Sequence, residues 1–184
     1  MPKAAFNLKD LSSPVAGTKY AAAKQILAIS TTNPESLYRH IDFFIELMAT
    51  SNQILRWTAI QVLGRLAAFD TESKIERLLP SFFSALDGGS MITANNAIMA
   101  LSDIATAKPD LEPQITDKLL QVERYTYDSV ECSNIAIGKV VLGLGQYFPE
   151  AKHKDLVLDF VKRQIANTRP ATRKKAEAFL KKFA

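Results

Sequence analysis

Residues with reactive side chains are few in this sequence, and they are scattered. The chain of 184 residues holds two histidines, His40 and His153, and one cysteine, Cys132. A zinc centre needs several Cys, His or carboxylate ligands at short spacings, and neither histidine sits in such a motif. Cys132 has no histidine near it in sequence to favour its thiolate, so it reads as a small helix residue. The run Gly143-Leu144-Gly145 lacks the further glycines and the preceding strand of a phosphate loop. No Gly-x-Ser-x-Gly nucleophile motif occurs. The expectation is a non-enzyme with no catalytic residues, no metal and no cofactor.

What remains is a surface, and its charge is uneven. The net charge is +4. From Glu150 to Ala184 there are ten basic and four acidic residues, whereas the first 149 residues carry 13 basic and 15 acidic. Basicity therefore belongs to the C-terminal end. Apolar residues make up 47% of the chain, which is ordinary for a folded domain and too many for disorder. The first ten residues, "MPKAAFNLKD", lack the apolar run of a secretory signal, and no apolar run reaches membrane-spanning length. With a single cysteine, a cytoplasmic location is the expectation.

The elements that must present this surface are helices. Apolar residues recur at intervals of three and four: Ala22, Ala23, Ile26, Leu27 and Ile29; Ile41, Phe44, Ile45 and Met48; Leu156, Val157, Phe160, Val161 and Ile165. Sustained alternation bounded by hairpin turns is missing. Breakers such as "DGGS" (Asp87–Ser90), "AKPDLEP" (Ala107–Pro113) and "NTRPAT" (Asn167–Thr172) separate the helical runs.

The runs also repeat. Ala23, Ala59, Ala97, Ala136 and Ala176 are separated by 36, 38, 39 and 40 residues, and four residues after each comes Leu27, Leu63, Leu101, Val140 or Leu180. A period near forty with two helices per period predicts an all-α fold: a right-handed superhelix, or α-solenoid, of about four to five helix pairs. The small residue would let neighbouring helices approach, and the branched residue one turn on would fill the space beside it. One domain spans residues 1–184, with 1–14 as an N-terminal extension and 169–184 as a basic capping helix.

The pattern resembles the HEAT repeats, an armadillo-like family. Leu79-Pro80 and Leu86-Asp87 match the first helix of that repeat; Leu55-Arg56, Ala59 and Leu63-Gly64 match its second helix, as do Arg173, Ala176 and Leu180. Ala94 and Ser133 stand where the pattern has arginine, Thr50 stands where it has aspartate, and Lys139 falls on an otherwise apolar position. The resemblance implies that the second helices line a concave face and that the array serves as a binding surface, an adaptor or scaffold.

On that reading the equivalent positions form ladders. Arg56, Trp57, Gln61, Arg65, Asn95 and Asn134 are the expected partner-binding residues. Asparagine amides donate to and accept from a peptide backbone, and tryptophan offers an apolar platform. In the C-terminal helix, Arg173, Lys174, Lys175, Lys181 and Lys182 are the candidates for contact with an anion or nucleic acid; the competing role is a polar end-cap. The expected partner is another protein or peptide, with no membrane. The rival function is nucleic-acid binding of the kind found in HEAT-like DNA-alkylation-repair glycosylases, although none of their catalytic residues can be placed here. The HEAT-like lyases that attach bilin pigments have shorter repeats and fit less well.

Overall fold

The computed structural model describes residues 6–184. Among them there is no strand, and ten α-helices follow one another: α1 Ala16–Thr32, α2 Glu35–Tyr38, α3 Ile41–Met48, α4 Gln53–Leu66, α5 Lys74–Leu86, α6 Met91–Ala107, α7 Glu112–Leu120, α8 Val130–Tyr147, α9 Lys154–Arg163 and α10 Pro170–Phe183. Local chemistry starts several of them. The side chains of Asn52, Ser90 and Ser129 accept the N–H groups of Leu55, Thr93 and Cys132, which satisfies a free donor in the first turn of α4, α6 and α8. Pro170 opens α10, where its missing N–H has no cost.

The helices pack in order along the chain. α1, α4, α6, α8 and α10 lie each against the next, while α3 packs on α4, α5 on α6 and α9 on α10. Side-chain hydrogen bonds between neighbours keep the sequence interval: Thr116 meets Tyr147, 31 residues on, and Tyr127 donates to the Leu86 carbonyl, 41 residues back. The five alanines that define the period are all buried, Ala59, Ala97, Ala136 and Ala176 completely. Leu63, Leu101 and Val140 are buried beside them. Lys139 is half-buried while Ala136 and Val140 around it have no exposure, so Ala136 lies on the buried face of α8.

Three glycines on these helices also sit in close contacts. A Cβ on Gly64 would lie 2.6 Å from the Ala100 Cα, and one on Gly138 would lie 2.7 Å from the Thr172 hydroxyl. Gly143 faces the Ser102 hydroxyl in the same way. The Gly-Leu-Gly run therefore serves packing, Gly143 toward α6 and Gly145 toward Phe179 and Phe183 of α10.

One expectation is corrected. Leu156 and Ile165 are exposed, because only Val157, Phe160 and Val161 of that stripe face the neighbouring helices. The segment read as an N-terminal extension lies partly outside the described residues, but its remainder is packed. Leu8–Ser12 forms a 3-10 turn against α1 with Leu11 fully buried. Among the described residues no helix is long and apolar enough to cross a membrane.

Candidate binding groove

Arg65 stands in the last turn of α4. Its Nη1 donates to the Ser30 hydroxyl at 2.6 Å and to the Leu27 carbonyl at 3.3 Å, both near the end of α1. Asp103 occupies the equivalent place on α6. Burial pushes its carboxyl above the ordinary range, and the Arg65 charge pulls it part of the way back. Gln61, one turn before Arg65, reaches the Trp57 carbonyl at 3.5 Å.

These side chains border one hollow of about 330 Å³ across α4, α6 and α8, together with Asn95, Asn96, Met99, Lys139 and Gln146. A second hollow of about 550 Å³, walled by Ser30, Gly64, Phe69 and Thr106, shares Arg65, Asp103 and Gln146 with it. The groove is thus long, polar at one end and more apolar at the other. Its charged groups are Arg65, Asp103 and Lys139.

Asn95 is the least satisfied group in it. Its amide nitrogen contacts the Met91 sulfur, and its Oδ1 is buried with no hydrogen-bond partner. Thioether sulfur is a weak acceptor and no donor, so turning the amide over would leave the nitrogen unmatched instead. A buried amide end without a partner costs about 1–3 kcal/mol.

Of the expected binding residues, the structure brings Gln61, Arg65 and Asn95 together and places the other three elsewhere. Arg56 lies in a different groove, with Ile45 of α3 and Leu78 of α5. Nine residues separate it from Arg65, which is about two and a half turns of helix, so the two point in opposite directions. Trp57 is half-buried and donates its indole N–H to the Thr93 hydroxyl at 2.9 Å, tying α4 to α6. Asn134 is 8% exposed and fully engaged: it donates to the Thr168 hydroxyl, accepts from Asn167, and its carbonyl takes the Thr172 hydroxyl. It joins α8 to the start of α10. Asp103, Lys139 and Gln146 were missing from the expected set. The available signal was Lys139 itself, a charge at a position apolar in the other repeats.

The basic end does not converge on one point. Arg173 donates to the Asn167 and Thr168 carbonyls, in the turn just before its own helix. Lys182 lies 4.6 Å over the Phe183 ring. Lys174 and Lys181 are exposed. Lys175 is half-buried, and burial, with Arg169 and Lys139 nearby, lowers its ammonium below the ordinary value. Cys132 is half-buried in the first turn of α8, and His153 is exposed. His40 is half-buried against Phe6, and burial, with Arg39 beside it, lowers its imidazole below the ordinary value. Among the described residues no three His, Cys, Asp or Glu side chains are grouped to hold a metal. Compared with known proteins, the chain matches no family model and no curated protein.

Proposed function

We propose that the chain is a HEAT-like α-solenoid and a non-catalytic binding module, and that it holds an extended segment of another protein in the groove over α4, α6 and α8. The observation that carries this is the Asn95 amide, buried at the groove wall with one end unmatched. Nearby, Asp103 is a partly desolvated carboxyl whose burial the Arg65 charge only partly offsets. A peptide backbone supplies both donors and acceptors, and a stacked array of helices offers it a continuous surface. A cytoplasmic location belongs to the same reading.

Selection of random peptides displayed on phage tests it. The expected result is a family of peptides whose binding falls about tenfold or more, ~1.4 kcal/mol, with Asn95→Ala and with Asp103→Asn, while neither variant melts below wild type. Failure to enrich any peptide, or enrichment insensitive to both changes, removes the reading.

Nucleic-acid binding is the second reading, favoured by the crowding of Lys139, Lys175 and Arg169. It requires retention of DNA or RNA that falls steeply with salt and is lost when Lys174, Lys175, Lys181 and Lys182 become glutamine. Retention only at low salt is the expected outcome and counts against it.

A further inference from the structure

The side of α4 that faces away from Arg65 carries a groove of its own, about 520 Å³ in volume, between α3 and α5. Ile45, Met48, Leu78 and Pro80 give it apolar walls, and Ser81 and Ser84 add hydroxyls. Its single charged group is Arg56. Arg56 is half-buried, its Nε is buried with no acceptor, and no described residue accepts a hydrogen bond from it or pairs with it. Arg65 is held by Ser30, Arg163 by Glu123 and Arg169 by Glu131. The turn before α4, residues 49–52, reads Ala-Thr-Ser-Asn and supplies no carboxylate. Guanidinium cannot shed its charge at any relevant pH, so an unmatched one in a partly desolvated place carries a standing cost that an anion would relieve.

We propose that this groove binds an acidic segment of a partner protein, in which a Glu or Asp side chain pairs with Arg56 and aliphatic neighbours lie on Ile45, Met48 and Leu78. The choice of a carboxylate over a phosphate follows from charge. One cation in otherwise neutral walls balances one negative charge and leaves a dianion half-neutralised. The planar guanidinium fork also fits a carboxylate by two parallel hydrogen bonds. The choice of a chain over an enclosed small molecule follows from the rim, where Ala49, Pro80, Ser81 and Ser84 are exposed.

The test is an amide-shift titration of the full, isotope-labelled chain with three blocked peptides, acetyl-Ala-Leu-X-Leu-Ala-amide with X as Glu, Gln or phosphoserine. The expected result is movement of the amides of residues 45–49, 78, 79 and 81–84, with the Glu peptide binding about tenfold or more tightly than either of the others. Arg56→Lys keeps the charge but loses the fork, and is expected to weaken the Glu peptide about fivefold or more. If Arg56→Lys does not fold, Ser84→Asp places a carboxylate in the same groove and is expected to exclude the Glu peptide. Equal binding of the Gln peptide, tighter binding of the phosphoserine peptide, or undiminished Glu-peptide binding to a folded variant overturns the proposal. Movement confined to Gln61, Asn95 and Asp103 also overturns it, while leaving the groove over α4, α6 and α8 in place.

Discussion

Both grooves are built on α4, and they leave opposite kinds of group unmatched. Over α4, α6 and α8 the arginine is satisfied, because Arg65 closes on Ser30 and the Leu27 carbonyl, and what is left over is the oxygen end of the Asn95 amide, beside an Asp103 carboxyl whose burial the Arg65 charge only partly offsets. Between α3 and α5 the arginine itself is left over. Asp70 shows how the same fold treats a purely structural charge. Burial pushes its carboxyl up, but the N–H groups of Ile75 and Lys74 and the Lys108 ammonium outweigh that and hold it below the ordinary range. Both Asp70 oxygens find donors. Among the described residues the buried side-chain atoms left without a partner, Arg56 Nε and Asn95 Oδ1, border the two grooves, and buried polar groups left incomplete are the better guide to binding.

The largest test of the comparison is the frame on which both grooves rest. Ala97 has no exposure where α6 meets its neighbours. Ala97→Arg must overpack that contact or bury a charge, at a cost of about 3 kcal/mol or more. An unchanged thermal melt would break the repeat register.

Asp70→Asn comes next, with an expected loss of about 2 kcal/mol at neutral pH from the charge-assisted bonds. Because the folded carboxyl is held below its ordinary value, its contribution is present above that value and disappears as pH falls through the lower, folded one. Melts of both forms should therefore converge in acid. A gap that persists there would mean the carboxylate is not the source.

Gly64→Ala sets two effects against each other. Helix propensity favours alanine by about 1 kcal/mol, and the clash with Ala100 costs about 1–3 kcal/mol, so a net loss is expected. Gly17 meets nothing within 4 Å, and Gly17→Ala should gain about 0.5 kcal/mol or more. Equal effects at the two sites would show that α4 and α6 are not in close contact.

The smallest shifts should come from the groove residues. Arg56→Met and Asn95→Ala each remove an unmatched group, so melts equal to wild type or slightly higher are expected; a marked loss at either would make it a structural residue. Asp103→Asn should be the more stable form at neutral pH. The folded Asp103 carboxyl lies above its ordinary value, so wild-type stability falls as pH rises through that interval and the variant escapes the loss. A difference independent of pH would refute the desolvation of Asp103.

The sequence by itself determined the helices and their order. Apolar residues at intervals of three and four specify helices, breakers such as Asp87–Ser90 and Asn167–Thr172 separate them, and the alanines spaced 36 to 40 apart specify which positions are buried. These are local or periodic properties, legible because burial repeats with the chain. Part of the site was legible too: Gln61, Arg65 and Asn95 share a groove, since they lie on the exposed side of helices whose buried side was known. Only the tertiary structure decided the rest. Trp57 and Asn134 look equivalent to Asn95 in sequence, yet Thr93 engages the one and Thr168 with Asn167 the other. Those partners lie 33 to 36 residues away, and the pairing depends on how each helix is rotated against the next. Whether a polar side chain is free for a partner depends on its neighbours in space, and periodicity carries no record of them.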